Sequence, residues 1–358
     1  MSTAGAIEIL NDLASVSPAW LSQALARDIP GAKVASVRPE SLHEGTASTS
    51  RLHLEYAPGG PAGPKTVCIK SDFGVEGAQR LAQAGLYRKE ALVYMDILPA
   101  ANTRVAHCYA ANYNDRGRGF MVLEDLTAAG ATFLHPTSGL TVDQVKTGVE
   151  ALAKLHASSW DKPWVDGPDW MHHGKPLSVE DPFWNVVFEG WDNGLKNHPH
   201  AGAIARPFRD RDIMQRAFNR LRGLQDKVAK CLVHGDAHVG NFYADRNGDV
   251  GVADFQCVQR GDVAHDLTTF IVTSLDIIDR RESDRALLQH YVGYLKELGV
   301  AQPPSFDEVW LGFRRHLVYS LVTWLFTSVA QQPQLDCVAN MFRFGTAALD
   351  LDTLGALE

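Results

Sequence analysis

The chain has 358 residues, and 34 Lys and Arg stand against 42 Asp and Glu, which gives a formal net charge of −8. A chain of this length buries enough surface to fold without disulfide or metal staples, and its length predicts two domains. Its 45% apolar and 21% charged residues are typical of a globular protein and exclude a disordered or fibrous chain. The acidic balance argues against nucleic-acid binding, because phosphate backbones require clustered Lys and Arg.

The cysteines and the apolar segments indicate a cellular location. Five widely spaced cysteines without a CxxC pair favour neither a structural zinc site nor a disulfide framework, so we expect a reducing compartment. Residues 1–10 lack the basic and apolar regions of a signal peptide, which predicts a cytoplasmic protein. The most apolar stretch, residues 317–330, falls short of the roughly 20 residues that span a bilayer, so we expect a buried helix and no membrane partner.

The first part of the chain predicts a β-rich unit. Ser17 followed by Pro18 is typical of a capped helix start. Apolar residues separated by turn residues predict three strands over residues 33–70. Residues 75–97 then predict a helix, and residues 120–123 predict a fully buried strand.

The remainder of the chain predicts mainly helices. Capping-box signatures at Thr141 and Ser305 each predict a helix start, and the second helix would carry the apolar stretch. The pair Asn247-Gly248 predicts a short β-hairpin. The change from strand-rich to helix-rich sequence near residue 127 predicts the boundary between two domains.

One segment, residues 232–255, combines the residue types that phosphoryl transfer from ATP requires. Asn241 follows Asp236 by five residues, and Asp254 ends an apolar run 13 residues later. Transfer needs a carboxylate that orients the acceptor hydroxyl and takes its proton, together with hard oxygen ligands for Mg²⁺. Each of these residues alone is more typical of a turn, but the set at this spacing is the signature of kinases.

Residues upstream fit the same interpretation. The strand-like run 67–70 ends in Lys70, and Glu90 lies 20 residues later on the predicted helix, where the two could form the Lys–Glu ion pair of kinases. Taken singly, each is more commonly a solvated charge than a catalytic residue. The strand 121–126 ends at a hinge-like position, where the backbone of Glu124 and Leu126 could bond the adenine edge; an ordinary polar strand end is the alternative.

These residues together resemble the aminoglycoside phosphotransferase and choline kinase superfamily, which shares the bilobal protein-kinase-like fold. The similar runs are VLEDL at 122–126, LAKLHA at 152–157, VHGDAHVGN at 233–241 and ADFQ at 253–256. Gln256, with HDLTTF at 265–270, is most similar to the ecdysteroid-kinase-like (CHK-kinase-like) branch.

The resemblance implies an α+β fold with two lobes. Residues 1–127 would form a small β-rich nucleotide-binding lobe that ends in the hinge, and residues 128–358 a larger, mostly helical lobe with the catalytic loop and the acceptor pocket. ATP and Mg²⁺ are the implied cofactors, and the implied partner is a small molecule with a hydroxyl group. The oligomeric state is left open.

The resemblance also implies a role for each residue of the predicted site. The implied roles are catalytic base for Asp236, Mg²⁺ ligands for Asn241 and Asp254, and phosphate-anchoring pair for Lys70 and Glu90. Asp266 would brace the catalytic loop from a helix start. His238 would either contact the acceptor or pack within the loop, and packing is the simpler role.

The segment that would cover the phosphates departs from the kinase pattern. The run 44–50 has one glycine and four hydroxyl residues instead of G-x-G-x-x-G. The backbone N–H groups of Gly45 and Thr46 and the hydroxyl of Ser48 are the candidate phosphate contacts. Dinucleotide and Walker-type sites are excluded, because neither motif occurs in the chain.

Aromatic residues at 160–192 suggest where an acceptor could bind. Five tryptophans lie there among acidic residues: Trp160, Trp164, Trp170, Trp184 and Trp191. They could enclose a quaternary ammonium group, stack on a flat apolar alcohol such as a sterol, or simply fill a helical core. Because basic residues interrupt the acids, we expect a neutral or weakly polar alcohol before an aminoglycoside or choline-type cation.

Two other classes of protein remain to be weighed against a small-molecule kinase. A pseudokinase would bind nucleotide without turnover, but every usual catalytic position is filled here. A protein kinase would need an A-P-E segment after Asp254, whereas Asp266 follows only 12 residues later and leaves no room for peptide docking.

Overall fold

A computed structural model describes residues 7–75, 78–83, 85–162, 183–228, 231–329 and 331–358. The α-helices in these ranges are α1 (Pro18–Leu25), α2 (Ala78–Gln83), α3 (Leu86–Leu92), α4 (Leu98–Ala101), α5 (Val142–Ser159), α6 (Phe183–Glu189), α7 (Trp191–Asn197), α8 (Arg211–Arg222), α9 (Gln225–Val228), α10 (Val263–Ser274), α11 (Ile277–Glu297), α12 (Phe306–Phe326) and α13 (Gln334–Asp350). The β-strands are β1 (Val34–Glu44), β2 (Ser48–Tyr56), β3 (Thr66–Ser71), β4 (Cys108–Tyr113), β5 (Gly119–Glu124), β6 (Thr132–Phe133), β7 (Cys231–Val233), β8 (Phe242–Ala244), β9 (Val250–Val252) and β10 (Gln259–Gly261). No helix in the described ranges is long and apolar enough to cross a membrane.

The chain forms two compact units. The N-terminal unit contains the described residues of Met1–Ala100 and Val105–Thr132, together with Asp254–Gln256 from much later in the chain. The C-terminal unit contains the described residues of Ala101–Arg104, Phe133–Ala253 and Cys257–Glu358. The first holds an antiparallel sheet and the second is larger and mainly helical, which confirms the predicted α+β fold class.

A five-stranded antiparallel sheet in the order β1-β2-β3-β5-β4 organises the N-terminal unit. Side chains alternate between its two faces, as they do along any strand. One face is buried in an apolar core under α1, where the rings of Trp20 and Phe120 lie 4.9 Å apart. The other face carries Lys70 on β3 and Thr49 opposite it on β2.

The predicted elements of this unit are largely confirmed. Ser17 caps α1 by accepting from the Trp20 N–H, and three strands occupy residues 33–71. The region 75–97, predicted to be helical, contains α2, α3 and a π-helical turn at Val93–Ile97, and Gly85 at φ +79° lies between α2 and α3. Strand β4 escaped prediction, since it mixes polar and apolar residues.

Helices α5, α10, α11, α12 and α13 pack together in the C-terminal unit. The predicted capping boxes at Thr141 and Ser305 are both formed. The predicted hairpin is also confirmed, as β8 pairs with β9 around the turn at Gly248. Helix α12 ends at Phe326 rather than continuing to 330, because the Gln331 side chain accepts from the Ser328 N–H in a turn beyond the helix.

Candidate active site

The predicted catalytic loop, residues 234–241, follows β7 in the C-terminal unit, and its path depends on Gly235. This residue has φ +81°, which is strained for a residue with a side chain. A Cβ atom there would lie 2.1 Å from the carbonyl oxygen of Cys257, so backbone packs directly against backbone. The sharp turn then presents Asp236 at the start of the loop.

A buried carboxylate on α10 holds this turn. Asp266 accepts from the backbone N–H of His234 at 2.6 Å and of Gly235 at 3.0 Å, and its Oδ2 lies 3.0 Å from His156 Nε2. Burial alone would raise the pKa of Asp266, but the bond from His156 and the nearby imidazoles lower that pKa to about 2. Asp266 therefore remains ionised and braces the loop, as the resemblance implies.

His156 on α5 is itself oriented from behind. Its Nδ1 lies 2.8 Å from the hydroxyl of Tyr291 on α11. Nε2 donates to the Asp266 carboxylate, and the Tyr291 hydroxyl bonds the other ring nitrogen, so both nitrogens of the ring are held. The sequence places His156 in the LAKLHA run but does not predict that it orients Asp266. Its partners Asp266 and Tyr291 lie 110 and 135 residues away in the chain.

Asp236 and Asn241 are brought together by the loop. The Asn241 amide nitrogen donates to the Asp236 backbone carbonyl at 2.8 Å and lies 3.4 Å from its Oδ2. The Asn241 side chain is buried, whereas the Asp236 side chain is 46% exposed. A carboxylate held at its backbone and open at its head group can accept a proton from a bound molecule.

His238 packs within the loop. Its Nδ1 accepts from the Gly240 N–H at 3.1 Å, and the Trp324 ring meets its ring edge to face at a centroid distance of 5.5 Å. Its Nε2 lies 3.9 Å from Asp236 Oδ2, beyond hydrogen-bond distance. These contacts favour the packing role of the two that were predicted.

The hairpin β8–β9 returns the chain to the catalytic loop. The Ala253 N–H donates to the Asn241 carbonyl at 2.8 Å, and His234 Nε2 donates to the Ala253 carbonyl at 2.8 Å. The next residue, Asp254, has φ +63°, a rare conformation for a residue with a side chain. Such strained positions cluster at functional sites.

Asp254 belongs to the N-terminal unit, where it meets the predicted phosphate-anchoring pair. Lys70 Nζ lies 2.8 Å from Glu90 Oε1 and 3.0 Å from Asp254 Oδ1. Glu90 is 1% exposed and also accepts from the Phe255 N–H at 3.3 Å. Burial by itself would lower the pKa of Lys70, but the carboxylates of Asp254 and Glu90 raise it, so the lysine remains a cation.

The turn between β1 and β2 is tied down at Thr46. Its carbonyl accepts from the Tyr87 hydroxyl at 2.8 Å, and its hydroxyl donates to Gln256 Oε1 at 2.9 Å. The Gly45 N–H donates to the Ala47 carbonyl. Gln256 thus contacts the segment predicted to cover the phosphates, a contact that sequence reasoning missed because 210 residues separate the partners.

Ser48 lies apart from the other predicted phosphate contacts. It pairs with Ser71 on β3, one register position from the Thr49–Lys70 pair, so its side chain is on the opposite face from Lys70. It is 8% exposed on that buried face. Thr49, which sequence reasoning did not select, carries the hydroxyl on the Lys70 face.

The predicted hinge residues end β5. The Glu124 N–H donates to the His107 carbonyl at 2.7 Å, and the Leu126 carbonyl accepts from the Ala131 N–H at 2.9 Å. Between them, Asp125 binds Arg51 of β2, with Nε 2.6 Å from Oδ2. These bonds engage the N–H of Glu124 and the carbonyl of Leu126, whereas the predicted adenine contacts would use the Glu124 carbonyl and the Leu126 N–H.

The structure describes three of the five predicted aromatic candidates. Trp184 and Trp191 are buried, and Trp184 packs on the Phe218 ring at 4.6 Å, so these two fill a helical core. Trp160 is half-buried at the end of α5. Trp164 and Trp170 lie outside the described residues.

Comparisons with known proteins agree with this geometry. The model of the phosphotransferase enzyme family matches residues 80–303, which is more than half of the chain. An ethanolamine kinase from Plasmodium vivax aligns with a TM-score of 0.54 at 12% identity, over 92% of this chain and 86% of that one. A spectinomycin phosphotransferase solved with ADP and spectinomycin aligns with a TM-score of 0.51 at 11% identity, over 95% and 99%. At these identities the structures establish a common kinase-like fold, and a search of curated proteins found no match.

Proposed function

Since the chain belongs to the phosphotransferase enzyme family, we propose that it is an ATP- and Mg²⁺-dependent kinase of a small-molecule hydroxyl. The exposed carboxylate of Asp236, fixed at its backbone by Asn241, supports this function most directly. In kinases, an aspartate of the catalytic loop accepts the proton of the acceptor hydroxyl, and an asparagine of the same loop holds Mg²⁺.

Asp236 would act on the acceptor. Its carboxylate accepts a hydrogen bond from the acceptor hydroxyl, which orients the oxygen for in-line attack on the γ-phosphorus of ATP. The acceptor O–P bond forms while the bond from the γ-phosphorus to the β-phosphate oxygen breaks. The hydroxyl proton passes to Asp236, and ADP leaves with the bonding electron pair.

Residues of the N-terminal unit would bind ATP. Lys70, held by Glu90, supplies the cation for the α- and β-phosphates. The Gly45 N–H already donates to the Ala47 carbonyl, so the Thr46 N–H is the better candidate for a further phosphate contact. The Thr49 hydroxyl is preferred to that of Ser48, because Thr49 lies on the Lys70 face. The Glu124 carbonyl and the Leu126 N–H would bond the adenine edge.

The chemistry of Asn241 and Asp254 fits Mg²⁺. Both present oxygen atoms, the ligands that this hard cation prefers, and the Asn241 amide nitrogen is already bonded to Asp236. The Asp254 side chain is 37% exposed in its strained conformation. Phosphate oxygens of the bound nucleotide would complete the coordination, as they commonly do for Mg²⁺. When bound, Mg²⁺ would neutralise charge on the transferring phosphoryl group.

The finer predictions are part of the same proposal. Residues 1–127 would act as the nucleotide-binding lobe and residues 128–358 as the catalytic and acceptor lobe of a cytoplasmic enzyme in the CHK-kinase-like branch. A neutral or weakly polar alcohol is the preferred acceptor, since Trp184, Phe188 and Trp191 are buried in the core rather than arranged around a cation. An aminoglycoside or choline-type cation is the alternative, and the two structural neighbours are named for ethanolamine and spectinomycin.

Acceptor-dependent ADP release is the test of this function. The purified protein is incubated with Mg·ATP and, separately, choline, ethanolamine, a sterol, a sugar or an aminoglycoside. We expect ADP formation above the acceptor-free rate with one chemical class, and mass spectrometry should find the acceptor heavier by one phosphoryl group. ATP binding without phosphorylation of any acceptor would favour the pseudokinase alternative.

A further inference from the structure

Arg51 lies on the same face of the N-terminal sheet as Lys70. In the antiparallel register of β2 and β3, Thr49 is opposite Lys70 and Arg51 is opposite Cys68. Because side chains on one strand alternate, those of Cys68 and Lys70 point to the same side. Arg51 is therefore a neighbour of the predicted phosphate anchor, away from the apolar core of the other face.

The sheet register also gives the position of Arg51 along a bound nucleotide. Lys70 pairs with Met121 and Val67 pairs with Glu124, so three residues of β3 separate the phosphate anchor from the hinge. Three strand residues span about 10 Å. A nucleotide that reaches from Lys70 to Glu124 must pass Cys68, the residue opposite Arg51.

Asp125 holds the Arg51 side chain through two hydrogen bonds. Arg51 Nε lies 2.6 Å from Oδ2 and Nη2 lies 3.3 Å from Oδ1, the bidentate geometry of a guanidinium edge on a carboxylate. Asp125 is 3% exposed and Arg51 is 18% exposed. Burial would raise the pKa of Asp125, but its bonds from Arg51 and the Ala128 N–H lower it, so the pair remains ionic.

We propose that Arg51 contacts the nucleotide base and that Asp125 is its positioning residue. Asp125 binds the Nε–Nη2 edge of the guanidinium and Glu40 Oε2 lies 3.6 Å from Nη1, and the plane of Arg51 would stack on the base. Arginine stacks on aromatic rings through its plane, whereas lysine is a compact point charge without one. This inference rests on the proposed function. It predicts that a change at Arg51 weakens binding of the base without weakening binding of the phosphates.

Two ligands separate these contacts experimentally. Calorimetric titrations with Mg·ADP and with Mg·tripolyphosphate compare a ligand that has a base with one that lacks it. In Arg51→Lys the cation beside Asp125 remains but the plane is lost, so we expect ADP affinity to fall about tenfold, the loss of one base-stacking contact. Tripolyphosphate affinity should stay within about twofold.

Matched variants control for charge and folding. Arg38→Lys changes an exposed arginine of β1 and should leave both affinities unchanged. The double variant Arg51→Met with Asp125→Asn removes both charges, so no buried carboxylate is left unpaired, and it should lose ADP affinity selectively as well. Melting temperatures of all variants report whether the fold is retained.

Each outcome decides the question. Selective loss of ADP affinity in both Arg51 variants supports the base contact. Equal losses of affinity for ADP and tripolyphosphate would overturn the base contact, and so would an unchanged ADP affinity in Arg51→Lys. Neither result would count against the proposed kinase function. If the unmodified protein binds neither ligand, the proposed function fails together with this inference.

Discussion

Asp266 shows how a single buried carboxylate can determine the geometry of the catalytic loop. It joins two consecutive backbone N–H groups, at His234 and Gly235, to a chain of side chains formed by His156 and Tyr291. A buried ion of this kind is stable only when its oxygens are fully hydrogen-bonded. The resemblance implied the bracing role of Asp266, but the two partners behind it required the structure.

The pKa of Asp266 gives a prediction for stability at low pH. Because the folded pKa is about 2 and the ordinary value is 3.8, the ionised carboxylate stabilises the fold above pH 4, and this contribution is lost as the pH falls from 4 through 2. Its size is about 2 kcal/mol of unfolding free energy. Denaturant unfolding should find Asp266→Asn less stable than the unmodified protein by at least this amount at pH 7.

The difference in unfolding free energy between Asp266→Asn and the unmodified protein should be smaller at pH 3 than at pH 7, because the carboxylate is partly protonated at pH 3. A stability difference that is the same at pH 7 and pH 3 would contradict the assignment of Asp266 as an ionised brace.

At the scale of elements, the turn from β7 into the catalytic loop is constrained both by conformation and by contact. Two observations at Gly235 coincide, a positive φ and backbone packing against Cys257. Gly248 in the β8–β9 turn also has a positive φ, +87°, but it faces open space. A side chain at Gly248 would have only the free-energy cost of a positive φ, whereas one at Gly235 would also clash with the backbone of Cys257.

Substitution by alanine should affect these glycines very differently. Gly248→Ala should cost about 1 kcal/mol of unfolding free energy, the penalty of left-handed backbone alone. Gly235→Ala should cost more than about 3 kcal/mol and abolish phosphoryl transfer, since the backbone of the loop must move. Unfolding midpoints and ADP release measured on both variants test this, and equal effects would refute the packing argument.

Elements that depend on neighbouring residues were predicted from the sequence. Features that depend on pairing between distant segments were not, because one segment alone does not determine its partner. The capping boxes at Thr141 and Ser305 and the β8–β9 hairpin depend on residues within a few positions of one another. The face on which Ser48 lies depends instead on register with β3, which the sequence of one strand does not determine. The break at Gly85 was missed because the apolar pattern continues through it.

At the scale of the whole molecule, the net charge of −8 does not describe the charges that the proposed site uses. Several of its carboxylates are paired with cations: Glu90 and Asp254 share Lys70, and Asp125 binds Arg51. The spacing of Asp236, Asn241 and Asp254 predicted the kinase class because one short segment carries all three. The acceptor could not be predicted in the same way, since aromatic residues serve cores and binding sites alike.

The central claim is that Asp236 carries out phosphoryl transfer while other residues hold the nucleotide. The decisive measurement compares the unmodified protein with Asp236→Asn, using acceptor phosphorylation under saturating Mg·ATP and calorimetric affinity for Mg·ADP. We predict that the variant transfers phosphate at least about a hundredfold more slowly, the typical share of a general base, while its ADP affinity changes less than about threefold. Normal turnover in Asp236→Asn would contradict the account.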